Sequence, residues 1–311
     1  MNRKILITGG AGFIGSRVVK RLHDNGEIPI VIKRRTTSTW RIDDIIDRII
    51  TYNVEDTKLE DIFGIEQVTA VIHLAAYYKK EHTYDDIDKM IDTNVRFPTK
   101  LLELCKIHHV PLFITAGSFF QYDSHDEVLG NGTHTDARDL YAATKNALES
   151  LINYYSSNTD VKAFSLVIFT PYGEMDHDDR LVPYIIGQAL SGKPAILTSG
   201  FQKLNLVYVE DIADAFVKAL EVGNADVPHR INIANMESNS IREIVTVIED
   251  LIGYHIDVKW GSRKMADTDA SKMTTVDTAA SEEILGWTPK FDIYDGMKRT
   301  IDYYREKYNE S

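Results

Sequence analysis

The chain has 311 residues, 43% hydrophobic and 26% charged, a globular composition long enough for one large domain or two ordinary ones. A net charge of −12 argues against a DNA or RNA partner, which a basic domain would serve better. No apolar run approaches the ~20 residues of a membrane helix, Met1-Asn2-Arg3-Lys4 leads straight into an apolar strand rather than a secretory leader, and the single cysteine, Cys105, excludes an internal disulfide, so the expected location is the cytoplasm.

Residues 3–8 are predicted as a short buried strand. Gly9-Gly10-Ala11-Gly12-Phe13-Ile14-Gly15 follows, and a helical pattern runs over 16–25. Strand, glycine turn and helix make the phosphate-binding corner of a doubly wound α/β fold. Gly9, Gly12 and Gly15 let the backbone approach a pyrophosphate, and the helix start, with Phe13 and Ile14, supplies amides and a positive dipole end. A second strand over 28–33 ends where such a fold meets the adenine ribose. An acidic residue there would bind the 2′-hydroxyl of NAD. This chain has Lys33-Arg34-Arg35, cations that pair with the 2′-phosphate of NADP. NADP(H) is therefore the expected cofactor, with NAD as the alternative.

A strand over 48–53 puts Asn53 where an adenine contact falls. A fourth, 68–74, runs into Leu74-Ala75-Ala76, small enough to let a cofactor lie close, and His73 reads as structural. Residues 92–108 read as one amphipathic helix with Asn94 near its start and Cys105 in its apolar stripe. The fifth strand, 112–115, leads into Ala116-Gly117-Ser118-Phe119-Phe120-Gln121. A hydroxyl at a strand's carboxyl end can hydrogen-bond a substrate carbonyl, and Thr115 and Ser118 compete for that role. A polar loop, 123–139, leads to Tyr141-Ala-Ala-Thr-Lys145. Spacing of four stacks Tyr141 and Lys145 on one helix face. A phenol titrates near pH ~10, and a nearby cation lowers that toward neutrality, which suits Tyr141 to proton transfer.

After a sixth strand over 161–169 the alternation becomes irregular. Asp176-His177-Asp178-Asp179-Arg180 reads as a wet loop, and no metal is expected. Helices over 181–190, 210–222, 241–252, 278–285 and 293–308 follow, with strands at 194–197, 205–209 and 231–233. Ser240 is a predicted N-cap. The expected division is a dinucleotide-binding doubly wound parallel sheet over 1–169, to which about 204–236 return, and a smaller C-terminal α/β substrate domain over 170–311.

Taken together, Thr8 to Gly15, His73-Leu74-Ala75-Ala76, Asn94, Tyr141-x-x-x-Lys145, Val207-Tyr-Val-Glu-Asp-Ile-Ala213 and Leu285-Gly-Trp-Thr-Pro289 resemble the extended short-chain dehydrogenase/reductase family, its nucleotide-sugar epimerase, dehydratase and reductase group. The resemblance spans nearly the whole chain. It implies that the first half binds the dinucleotide, with Asn94 and Thr170 among its contacts, and that the second half binds a CDP-, dTDP-, GDP- or UDP-linked sugar. It makes Tyr141 and Lys145 the catalytic pair, with a serine or threonine between 115 and 118. It gives Arg263 to the diphosphate, and it suggests a homodimer through helices near 95–108 and 141–156.

Departures from the pattern narrow the chemistry. Dehydratases of this family follow their threonine with Asp-Glu, where Ala116-Gly117 stand here. The epimerase-reductases that make GDP-fucose use a cysteine, and here the only one lies in a helix. The segment 115–122 is similar to that of reductases finishing CDP-linked 3,6-dideoxyhexoses such as paratose and abequose. This favours Ser118 over Thr115 and assigns Phe119 and Gln121 to the substrate. The expected reaction is NADPH-dependent reduction of the C4 ketone of a nucleotide-linked 4-keto-6-deoxyhexose. A 4-epimerase or 4,6-dehydratase holding NAD, and a non-catalytic NADP-binding regulatory protein, are the alternatives.

Overall fold

The structure is a computed structural model and describes residues 2–79, 81–122, 128–130, 132–223, 225–264 and 275–309. Seven strands form its central sheet: β1 Lys4–Thr8, β2 Ile28–Lys33, β3 Ile50–Asn53, β4 Ala70–His73, β5 Leu112–Ser118, β6 Lys162–Ile168 and β7 Arg230–Ile233. All pair in parallel, in the order β7-β6-β5-β4-β1-β2-β3. Near-continuous apolar runs such as Ile5-Leu6-Ile7 and Ile30-Val31-Ile32 suit strands covered on both faces. Alternation sends Ile5 and Ile7 to one core and Leu6 to the other.

Helices α2 Leu59–Glu66, α3 Phe97–Ile107 and α4 Leu140–Asn158 cover the Leu6 face through Phe63, Leu101 and Ile152. Helix α1 Phe13–Asp24 covers the other through Val19 and Leu22. The chain leaves β1 outward to β2 and β3, then crosses back to β4 on the opposite side of β1. A crevice therefore opens at the carboxyl ends of β1 and β4, where strand order reverses.

A second core lies between α5 Leu181–Leu190, α7 Ile241–Ile252 and α9 Ile293–Asn309, built on Ile185, Ile186, Ile244, Ile248, Met297 and Ile301. Ser240 caps α7 by accepting the Glu243 N–H. Helix α6 Val209–Lys218 returns to lie along α1, where Arg21 pairs with Glu210 at 2.6 Å and Asp214 at 3.2 Å. The two late sequence motifs meet here. The indole N–H of buried Trp287 donates to the Asp211 carbonyl at 2.9 Å, and the Asp211 carboxylate accepts the Lys290 and Phe291 amides.

Three of the differences from expectation concern the central sheet and the helices on its Leu6 face. Helix α2 has no counterpart in the sequence reading: it is eight residues long and its N-cap, Lys58, makes no side-chain cap. The single helix expected over 92–108 is interrupted by a π-helical turn at Asp92–Arg96, whose extra residue turns Asn94 inward. Strand β5 runs on to Ser118 because Ala116 and Gly117 stay in register with Leu166 and Val167. In α3 and α4, Leu101, Leu104, Cys105, Leu148 and Ile152 belong to the protomer's own core. Burial pushes the Cys105 thiol up to about 12, which keeps it an inert packing group.

Candidate active site

Two adjoining clefts, of about 580 and 700 Å³, share Gly9, Gly12, Leu74, Ala76 and His177 along the carboxyl edge of the sheet. Gly9 adopts φ +72°, and its carbonyl accepts the Gly12 N–H at 2.9 Å. A Cβ on Gly15 would lie 2.1 Å from the Gly9 oxygen, so only glycine closes this turn. Gly12, the N-cap of α1, offers no side-chain acceptor, and the first turn carries no acid. The first amides of the helix are left to an outside acceptor. Leu74, Ala75 and Ala76 face the turn so closely that a Cβ on Gly9 would come within 2.6 Å of the Ala75 nitrogen. These residues fit the diphosphate of a dinucleotide.

At the end of β2 the cations diverge. Lys33 and Arg34 line the larger cleft with Thr36, Thr37 and Ser38. Arg35 does not line it and turns to an ion pair with Asp56. Asn53 does not line it either. It accepts from Lys33 Nζ at 2.8 Å and donates to Asp56, so it orients Lys33, and Val54 lines the cleft instead. Asn94 is buried and clamps both the N–H and the carbonyl of Tyr77, at 2.7 and 3.0 Å, and donates to Thr144. It shapes the chain after β4 and touches neither cleft. His73, buried and bonded to Thr8 Oγ1, is held down to about 3 by burial with Lys145 nearby, and stays a neutral structural group.

In the smaller cleft, Tyr141 and Lys145 on α4 stand opposite Ser118 at the end of β5. Asp139 caps α4 by accepting the Ala142 N–H at 2.7 Å, which fixes the turn that presents Tyr141. Lys145 Nζ donates to the Ala116 carbonyl at 2.9 Å and sits 5.6 Å from the Tyr141 ring centroid. Burial lowers the Lys145 ammonium to about 8. Burial also raises the Tyr141 phenol above its ordinary value, Asp139 and Tyr78 add to this, and Arg180 opposes it. Burial thus dominates the phenol in the protein alone, and the cation that opposes it is Arg180 rather than the Lys145 that the spacing suggested.

The two competing hydroxyls separate. Ser118 lines the cleft. Thr115 is buried within the sheet and donates to the His73 carbonyl at 2.9 Å, away from both clefts. Gln121 is likewise buried rather than in reach of a substrate. It accepts the Ser118 N–H at 2.8 Å and donates to Asn146 and Glu149 of α4. Phe119 lines the cleft and stacks on Phe169, and Thr170 lines it with a buried hydroxyl that has no partner among the described residues. Arg263 lies exposed at the mouth.

Several cleft residues had no role in the sequence reading: Tyr78, Arg138, Asp176 and Arg180. Arg138 lies 5.3 and 5.7 Å from the Phe119 and Phe120 rings. Burial raises the Asp176 carboxyl to about 6. Arg180 sits inside the acidic run taken as a wet loop, and only its place one residue ahead of an apolar helix marked it. Asp178 of the same run pairs with Lys307 at 2.7 Å.

The model of the NAD dependent epimerase/dehydratase family matches residues 5–234. CDP-abequose synthase of Salmonella muenchen is 24% identical over 97% of this chain and 98% of its own length. dTDP-glucose 4,6-dehydratase of Salmonella typhimurium is 27% identical over 97% of this chain and 92% of its own. Among solved structures, UDP-glucuronic acid 4-epimerase from Bacillus cereus, in complex with UDP-glucuronic acid and NAD, superposes with a TM-score of 0.87 at 25% identity, covering 98% of this chain and 100% of that one.

Proposed function

Because the chain belongs to the NAD dependent epimerase/dehydratase family and is a nucleotide-sugar-modifying enzyme of that family, we propose that it reduces the C4 ketone of a nucleotide-linked 4-keto-6-deoxyhexose with NADPH. The observation that carries the reading is the pairing of Tyr141 and Ser118 across one cleft with no carboxylate following Thr115 on β5. That wall offers hydroxyl donors for a ketone oxygen and lacks the acid pair that water loss would need. A bound reduced nicotinamide supplies the hydride to the ketone carbon. Ser118 hydrogen-bonds the ketone oxygen, Tyr141 gives its proton to the forming alkoxide, and the buried Lys145 ammonium biases the site toward negative charge.

Glycines 9, 12 and 15 with the start of α1 hold the diphosphate of the cofactor, and Lys33 and Arg34, beside Thr36 and Thr37, take its 2′-phosphate. CDP-abequose synthase, similar along the whole chain, favours a CDP-linked sugar. A cytoplasmic homodimer completes the reading. The rival reading, a 4-epimerase that retains NAD, is favoured by the NAD in the epimerase structure.

Titration of the purified protein with NADPH and NADH, followed by NADPH oxidation with a CDP-linked 4-keto-3,6-dideoxyhexose, separates the two. Exchangeable NADPH and turnover that Tyr141→Phe abolishes support the reductase. A protein that carries NAD through purification and leaves NADPH unconsumed supports the epimerase and overturns this reading.

A further inference from the structure

Two aromatic rings in this cleft are flanked by a cation at each end. Lys145 Nζ lies 5.6 Å from the Tyr141 ring centroid. The Tyr78 ring meets Tyr141 edge-on, with centroids 5.0 Å apart and planes at 87°. The Arg180 guanidinium lies 5.0 Å from the Tyr78 centroid. These residues come from three separate pieces of chain. Tyr141 and Lys145 are on α4, Tyr78 is on the segment after β4, and Arg180 precedes α5, whose apolar face builds the second core.

We propose that Arg180 is a positioning residue for Tyr141: from the start of α5 it pins Tyr78 against the Tyr141 ring and brings a positive charge to the far side of that ring pair. The inference rests on the reading of Tyr141 as that donor. A guanidinium over an aromatic face is held by the ring quadrupole. An edge-to-face pair is a preferred aromatic geometry, so Tyr78 cannot turn without losing contact with one neighbour or the other.

The groups that face Tyr141 fall into two sets. Asp139 at the cap of α4 and Tyr78 oppose ionisation of the phenol, and burial does so most. Lys145 from its own helix and Arg180 from across the cleft are the cations. Asp176 and Asp179 line the same cleft, and Asp176 feels the Arg180 charge, which tempers what Arg180 delivers. Lys145, lowered toward neutrality by burial, is partly discharged at alkaline pH.

The test reads the phenol directly and needs no substrate. 3-Nitrotyrosine is installed at position 141, its ionisation is followed by visible absorbance, and Arg180 is then varied. Arg180→Met is expected to raise the midpoint by roughly half a pH unit, a threefold loss of acidity, and Arg180→Lys to recover most of it. One midpoint for all three proteins overturns the proposal, as does a fall in Arg180→Met, which would mean that wetting of the cleft outweighs the lost charge. Tyr141→Phe that still turns over would sink the proton-donor reading instead, with the titration unaffected.

Discussion

Gln121 holds Ser118 in place: its side-chain oxygen accepts the Ser118 backbone N–H at 2.8 Å, while its amide nitrogen donates to Asn146 and Glu149 on the helix that carries Tyr141 and Lys145. The Ser118 backbone and the helix that carries Tyr141, the two groups proposed to act on the ketone, are thus tied together through one buried side chain. Gln121→Leu is expected to lower kcat by about tenfold to a hundredfold, as small misplacements of a catalytic group do. NADPH affinity should stay within about twofold, because no glycine-turn contact changes. Steady-state kinetics beside a cofactor titration checks this, and an unchanged kcat would remove Gln121 from the argument.

Thr115 and Ser118 are three residues apart and predict opposite phenotypes. Ser118→Ala removes a donor to the developing oxyanion, with an expected loss of about 10²-fold in kcat and little change in stability. Thr115→Val leaves the His73 carbonyl without its side-chain donor inside the sheet. It should cost about 1 kcal/mol of stability with kcat held within about twofold. Urea denaturation and initial rates on the two variants decide the matter, and a kcat collapse in Thr115→Val would return it to the site.

Lys145 is buried with no carboxylate partner among the described residues, and its ammonium is lowered to about 8 from an ordinary 10.5. The unfolded chain therefore binds more protons than the folded one between those values, and stability rises with pH across that window. Below about pH 8 the cost of burying the charge is fully present, on the order of 3 kcal/mol. Lys145→Met should be inactive yet more stable than the parent near pH 7, with the advantage shrinking toward pH 10. Denaturation midpoints at both pH values test this. An advantage that does not change with pH would mean that the lysine stays equally charged in both states.

What the sequence made legible was local. The glycine turn, the Tyr-x-x-x-Lys spacing and the small residues after β4 are short-range patterns whose chemistry depends on neighbours within a few positions, and they fall together at the strand-order reversal. What stayed hidden depends on partners far along the chain. Asn53 and Asn94 carry side chains that suit a ligand as well as a backbone clamp, and only their bonds to Lys33 and Tyr77 decide between these uses. Arg180 meets Tyr78 from a hundred residues away in sequence, across a contact with no local signature. Helix α2 went unread because eight residues without a capping side chain leave little signal.

The sharpest contrast concerns adjacent arginines. Arg34 lines the cleft beside Lys33, Thr36 and Thr37, whereas Arg35 is paired with Asp56 and donates its backbone N–H to the Glu55 carboxylate. On the proposed NADPH reading, a charge-assisted contact to the 2′-phosphate would be lost with one residue and not with its neighbour. Arg34→Ala should weaken NADPH about tenfold to a hundredfold and leave NADH within about twofold, since NADH has no phosphate there. Arg35→Ala should leave both affinities within about twofold. Fluorescence titration of both cofactors against both variants reads the result. If Arg34→Ala weakens NADPH and NADH equally, the cations of this turn do not recognise the 2′-phosphate, and a protein using NAD becomes the better account.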